Sequence, residues 1–351
     1  MWRFKIVQDW KEVWKVEHLN NWNNLLMQSP TSHVFFHPIV AKIWKDTYMP
    51  LRKMTPLFVW GESTNGNKVF LPLVLWKRDW KGAFVHSIIP VGYSDYDYHD
   101  PLFQNEPSEE ELSSFWNELI ALLSSYKADE ILLNGFRDRC TNPCSDGEWQ
   151  QGEVCPSLDL TQISSEDALM AFFSTKLRGD IRRQIRRLGE MGALRFVEYT
   201  SFKDIPDGMF EQFMEAHRQR WPNAYKAPHF HERLVAACSL GGPIHFSAMM
   251  LDDAPIAWHL GFEYQGVYYY YMPAGNPEYQ KQSPVKIHLY YLIIRAINKG
   301  YTLYDHLRGD ETYKSGWSDG YQYVNNLIIH SGRISSRIKH GLIKVKELIR
   351  K

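Results

Sequence analysis

The stretch Pro243–Ala274, PIHFSAMMLDDAPIAWHLGFEYQGVYYYYMPA, decides how this chain is read. It holds three runs rich in β-branched and aromatic residues, PIHFSAMML, APIAWHLGFEY and GVYYYYMPA. Such runs favour strands. Only the short turns at Asp252-Asp253 and Gln265-Gly266 separate them, and connections that short join antiparallel neighbours. The stretch therefore predicts an antiparallel meander. PVKIHLYYLIIRAINKG follows and predicts a helix, with Pro284 in its first turn and Gly300 at its end. YTLYDHL predicts one more strand, and YQYVNNLIIHS another.

Upstream of the meander, SSEDALMAFF and TKLRGDIRRQIRRLGEMG predict helices, the second stopped by Gly192. ALRFVEYT predicts a strand, and DGMFEQFMEAHRQRW a helix halted by Pro222. PHFHERLVAACSL predicts another helix before Gly241-Gly242. The first half has a pattern of its own. Residues 11–27 place Trp14, Leu19, Trp22 and Leu26 on one helical side, and PIVAKIWKDTY adds a short helix. TPLFVWGE and KVFLPLVLW predict a hairpin across the Asn-Gly of STNGN, and GAFVHSIIP a further strand. PSEEELSSFWNELIALLSSY predicts a helix capped at Ser108, and EILLNGF a strand.

The chain has 351 residues, too many for one ordinary core, so two domains are expected. The boundaries drawn are 1–160, 161–332 and a basic amphipathic helix over 333–351. Lys plus Arg equals Asp plus Glu, 40 against 40, which argues against a nucleic-acid coat protein. The basic charge is nevertheless clustered. Arg178, Arg182, Arg183, Arg186 and Arg187 share one predicted helix, and the tail carries more. Such helices either meet anionic headgroups, phosphorylated glycans or tRNA, or are solvated faces of packed helices. No run of about 18 apolar residues occurs, and the N-terminus has no leader-like apolar core, so a cytoplasmic setting is expected. Cys140, Cys144, Cys155 and Cys238 lack a fourth ligand at zinc spacing and are read as free thiols.

Several segments carry a resemblance. HRQRW at 217–221, APIAWHLGF at 254–262, SPVKIHLYYLIIRAINKGYTLYD at 283–305 and RGDETYKSGW at 308–317 come in that order. VFFHPIVAKIW at 34–44 and GYSDYDYHDPL at 92–102 extend it into the first half. On these residues the chain resembles the CelD/BcsL-like acetyltransferases of bacterial cellulose and exopolysaccharide synthesis. That family is related to the FemAB-type aminoacyl transferases. The resemblance implies an α+β fold of tandem GNAT-like domains, with mixed, mostly antiparallel sheets flanked by helices. The first would be degenerate and on the acceptor side, the second the acyltransferase. It implies acyl transfer, acetyl in the first instance, from acyl-CoA to an amino or hydroxyl group of a sugar. An amino-sugar or lipid-linked saccharide would be the acceptor, with peripheral contact at the inner membrane face. No metal is implied. An aminoacyl-tRNA-dependent transferase and an inactive scaffold are the alternatives.

The same resemblance assigns roles. Ser283, Val285, Lys286 and Arg308 would hold the carrier's phosphates at a helix N-terminus. The family usually has glycine where Val285 stands, and valine narrows the approach. His217 and Arg220 are three apart on one helix and share a face, so with Trp221 they would line the acceptor pocket. The alternative is a buried, backbone-bonded histidine. His259 and Glu263 share a strand face, and either is a candidate base or a plain polar edge residue. Asp305 is a base, an amine anchor or a strand-end cap. Tyr313 and Lys314 match a transferase aromatic-lysine pair, in which Lys314 would hold phosphate or the developing oxyanion and Tyr313 would meet the substrate; a solvated surface pair with Asp310 and Glu311 is the alternative. Asp95, two residues from Asp97, is the preferred acceptor-amine ligand, or an Asx-turn residue.

Overall fold

The fold is that of a computed structural model, which describes residues 1–80, 83–142, 149–239, 241–331, 333, 334, 337, 338 and 341. The chain divides into two units, Met1–Gly152 with the chain from Tyr323 onward, and Glu153–Gln322.

The first unit opens with β1 (Trp2–Val7), α1 (Trp10–Val13), α2 (Val16–Gln28) and α3 (Pro38–Tyr48). β2 (Lys53–Ser63), β3 (Lys68–Trp80), β4 (Ala83–Pro90) and the short β5 (Leu102–Phe103) follow, then α4 (Glu109–Ser124) and β6 (Glu130–Arg137). β1 to β4 pair antiparallel in sequence order. β6 then lies parallel to β4. A parallel neighbour needs a crossover, and α4 supplies it. The Ser108 hydroxyl accepts from the Glu111 N–H, and the Glu111 carboxylate accepts from the Ser108 N–H, which closes the expected capping box.

β7 (Trp149–Asp159) runs across the boundary at Gly152, and the second unit goes on with α5 (Glu166–Phe172), α6 (Thr175–Gly189), β8 (Leu194–Tyr199), α7 (Met209–Arg220) and α8 (Phe230–Ala236). The meander is β9 (Ile244–Leu251), β10 (Ala254–Tyr264) and β11 (Val267–Gly275), followed by α9 (Pro284–Asn298) and β12 (Leu303–Asp305). β8 to β11 pair antiparallel, and β12 lies parallel to β11 across α9. β7 adds to β12 antiparallel through Ser157–Asp159. Gln265 and Gly266 both have positive φ, 48° and 75°. That is the type I′ geometry a two-residue hairpin requires.

Each unit thus repeats one plan: a strand, helices, three antiparallel strands, a crossover helix and a parallel strand. The fold is a tandem of mixed, mostly antiparallel sheets. The division between the units falls after Gly152 and after Gln322. β13 (Gly320–His330) carries the chain back, pairing with β6 over Val324–His330. The expected helix over 333–351 lies largely outside the described residues.

The second core sits where α9 packs with α6 beside the sheet. Ile287, Leu292, Ile293 and Ala296 are fully buried with Ile256, Ala257 and Tyr268 of the sheet and Leu169, Ile181 and Leu188 of α5 and α6. Each large apolar side chain contributes roughly 1.5–3 kcal/mol. This packing fixes the start of α9 against the end of β11.

Candidate functional site

Where α7 ends and α9 begins, the second unit opens a cleft of about 550 Å³. Arg220 and Trp221 line it from α7, Gly275 from β11, and Ser283, Val285 and Lys286 from the entry to α9. Local chemistry shapes this wall. The Asn276 side chain accepts from the Glu278 N–H and starts a 3-10 turn over Pro277–Gln282. Ser283 reverses the chain at φ 52°, and Pro284 occupies the first helical turn, where its missing N–H costs nothing. A Cβ on residue 275 would stand 2.6 Å from Val285 Cγ2, so only glycine fits there.

The cleft is electropositive. The Arg220 guanidinium lies 4.5 Å from the Trp221 ring centroid, and no carboxylate pairs with it among the described residues. Lys286 Nζ is held by Asp180 of α6. The N-terminus of α9 adds its dipole. Five of the expected residues, Arg220, Trp221, Ser283, Val285 and Lys286, therefore converge here.

The others stand elsewhere. His217 is one turn back from the lining, stacked on Trp221 at 4.7 Å, with Nδ1 2.7 Å from the Tyr225 hydroxyl. Burial, then His231 and Arg220, push it down to about 3, so it is neutral near pH 7. It is the buried histidine of the ordinary reading, although its partner is a tyrosine. Asp305 is buried and accepts from the Leu307 N–H at 2.8 Å, a strand-end cap and not an open cleft wall. Lys314 is also buried. Its ammonium donates to the Arg308 carbonyl at 2.8 Å and pairs with Glu311 at 2.8 Å, so it clamps a loop. Arg308 pairs with Glu153 at 3.6 Å and is not on the cleft lining. Burial raises the Tyr313 phenol, Glu311 adds to this and Arg220 opposes it. In the first unit, Asp95 accepts from Trp44 Nε1 at 3.0 Å and the Tyr48 hydroxyl at 2.8 Å. Both donors come from α3, so this carboxylate also ties its own loop down.

Glu263 is no base at the cleft. It accepts from Arg295 at 2.5 Å and from Tyr301, and it lines a second cavity of about 360 Å³ with Glu198, His245 and Arg295. Burial would raise its carboxyl, but His245 and Arg295 outweigh that and hold it low. A carboxylate so held is a weak proton acceptor. Glu198, His245 and Glu263 offer ligand atoms within 4.8 Å of one another. Arg295 already grips both carboxylates, which does not fit a cation there.

Sequence reasoning missed the network behind this cavity. His245 Nδ1 lies 2.8 Å from the Tyr268 hydroxyl, which lies 2.9 Å from His259 Nδ1. His259 itself is fully buried. The signal was a histidine inside an apolar strand run, facing a tyrosine run. β11 is also bulged: between the pairs Leu260–Met272 and Phe262–Tyr269, two residues oppose Gly261 alone.

Residues 175–315 match the family model described as Acetyltransferase (GNAT) domain. The second unit carries a GNAT domain. No curated protein sequence matches the chain. Among solved structures, FemX is similar at TM-score 0.60 and 11% identity, over 93% of this chain and 98% of that one. The C-terminal domain (DUF2156) of a putative lysylphosphatidylglycerol synthetase from Agrobacterium fabrum is similar at 0.53 and 11%, over 86% and 94%. A conserved protein of unknown function from Bacteroides thetaiotaomicron is similar at 0.53 and 11%, over 94% and 100%. These likenesses concern the fold, and they extend it beyond the GNAT domain to most of the chain. Among the described residues, no helix is long and apolar enough to cross a membrane.

Proposed function

We propose that the GNAT domain transfers an acyl group, acetyl in the first instance, from acyl-CoA to an amino or hydroxyl group. The observation that carries this is the meeting of Arg220, Trp221 and the N-terminus of α9 around one cleft of about 550 Å³. A helix N-terminus offers unpaired N–H groups and a positive dipole to phosphates. Arg220 adds a delocalised cation suited to a diphosphate. The bulge in β11 supplies irregular backbone next to the cleft strand, the kind of place where N–H groups can meet an oxyanion.

The acceptor in this reading is an amino-sugar or lipid-linked saccharide of an envelope or secreted polysaccharide. That part rests on the resemblance of the sequence segments. The exposed arginines of α6, Arg182, Arg183, Arg186 and Arg187, suit a phosphorylated, membrane-borne acceptor at the inner membrane face. A second reading takes aminoacyl-tRNA as donor. Val285 favours it, because its packing on Gly275 narrows the approach of a diphosphate to the helix.

Isothermal titration with acetyl-CoA, desulfo-CoA and aminoacyl-tRNA separates the readings. Micromolar acetyl-CoA binding, lost in Arg220→Ala, supports the first. Binding of tRNA alone moves the donor to the second. Binding of neither sinks both and leaves the scaffold.

A further inference from the structure

The second cavity opens onto a chain of four side chains whose hydrogen bonds run in one direction. Glu198 sets it. Burial alone would raise its carboxyl, but the bond from His245 and the charge of Arg295 hold it at about 2, so it is ionised and only accepts. It therefore takes the proton of His245 Nε2, 3.1 Å away. His245 is buried and neutral, since burial and Arg295 outweigh the carboxylates' pull. Its Nδ1 is then a bare acceptor, and the Tyr268 hydroxyl donates to it at 2.8 Å. The Tyr268 oxygen in turn accepts from His259 Nδ1–H at 2.9 Å. His259 Nε2 is left as a lone pair, buried and without a hydrogen-bond partner among the described residues.

A buried polar atom without a partner costs stability, and the few that persist call for a reason. His259 stands opposite Pro273 in the β10–β11 register, and Pro273 lines the cleft. The lone pair thus belongs to the strand paired beside β11, which carries Pro273 of the cleft lining. The charged and titratable groups around the chain are Glu263 on β10, Arg295 and His288 on α9, Tyr270 on β11 and Tyr304 on β12. Tyr270 stacks on His259 at 4.4 Å, and His288 Nε2 meets the Ser247 hydroxyl at 3.0 Å. Neither saturates His259 Nε2.

We propose that Glu198, His245, Tyr268 and His259 form a proton relay that stores the acceptor's proton during acyl transfer and returns it to the leaving group. This rests on the acyl-CoA reading of the cleft and adds the route of the proton to it. As the nucleophile's lone pair forms its bond to the acyl carbon, the carbonyl π pair moves to oxygen. The nucleophile's proton passes to His259 Nε2, directly or through one water. His259 Nδ1–H gives its proton to Tyr268, and Tyr268 gives its own to His245 Nδ1. The positive charge then rests on His245, 3.1 Å from Glu198 and 3.9 Å from Glu263. When the carbon–sulfur bond breaks, sulfur keeps the electron pair. The transfers run backwards, and His259 Nε2–H protonates the thiolate. The relay ends in its starting state, and nothing is oxidised or reduced.

The test joins two measurements on the full chain. Nitrogen-15 histidine NMR of the unmodified protein reads the tautomers, and Tyr268→Phe removes one hydroxyl while keeping the ring. The relay requires His259 in the Nδ1–H form. It also requires Tyr268→Phe to lower kcat on the order of 100-fold with KM unchanged, the scale of lost proton transfer. A hydroxyl with a merely structural role would shift melting and leave kcat alone. An Nε2–H tautomer at His259 overturns the relay, and so does an unchanged kcat in Tyr268→Phe. Failure of the unmodified protein to bind acetyl-CoA removes the acyl-CoA reading and the relay's role together. Binding with an unchanged variant rate removes the relay alone.

Discussion

Val285 closes over the bare Cα of Gly275: a methyl group added at residue 275 would meet Val285 Cγ2 at 2.6 Å. The two positions are coupled, one small because the other is branched. Gly275→Ala is expected to push the first turn of α9 away from β11. Overpacking of this kind costs about 1–3 kcal/mol. Donor binding is expected to weaken as well, because Gly275 and Val285 both line the cleft. The double variant Gly275→Ala with Val285→Gly restores the space. Urea unfolding of the single and double variants checks this, and equal losses in both would refute the coupling.

Much of this region was legible in the sequence. The short Gln265-Gly266 turn marks the hairpin, and both residues take the positive φ it needs, while Pro284 marks the start of α9. What the sequence hid has physical causes. β7 contains Gly152 and Pro156 and buries little before Cys155, so it has neither strand composition nor clean alternation. β1 alternates with charged residues near the terminus, and its partner β2 lies some fifty residues away. The exchange of β13 back to the first unit depends on pairing with β6, which no local pattern carries. At the site, Arg220 and Val285 were readable because helix ends are readable. Asp305 and Lys314 were not, since composition does not tell which charges are already committed to backbone groups.

Arg220 is the cleft cation without a carboxylate partner among the described residues, and it rests on Trp221 at 4.5 Å. Arg220→Ala is expected to weaken acetyl-CoA by about 10- to 100-fold, the value of one charged hydrogen-bonding group at about 1.5–3 kcal/mol. The loss should shrink as salt is raised, because part of it is screened charge. Titration at two ionic strengths checks this. An unchanged affinity places the phosphates elsewhere.

Lys314 is expected to act on stability before activity. Its ammonium serves the Arg308 carbonyl and Glu311. Lys314→Met keeps the stem and leaves those acceptors unsatisfied, a cost of about 1–3 kcal/mol. For a unit of this size that lowers Tm by about 2–4 °C per kcal/mol. Turnover below the melting transition should persist. A variant with unaltered Tm and no turnover would return Lys314 to the chemistry.

His217, His288 and His306 are three of the second unit's buried histidines that weaken it in acid. Burial pushes each down to about 3 from the usual 6.5. Each is hydrogen-bonded while neutral: His217 to Tyr225, His288 to Ser247 and His306 to the Trp317 carbonyl. The unfolded chain binds protons at these sites near pH 6.5, and the folded chain does not. Folded-state values below the unfolded ones mean that this stability is fully present above about pH 6.5 and is lost as pH falls toward 3. Each histidine contributes a slope of up to about 1.4 kcal/mol per pH unit inside that window. Glu198, held at about 2, loses its share only as pH falls below the usual carboxylate value of about 4.5, so a fall between pH 6.5 and 5 reports the histidines. The urea midpoint should drop steadily across that interval, and His306→Gln should flatten the drop by one histidine's share. A midpoint constant from pH 6.5 to 5 would show that these rings take up protons without unfolding the unit.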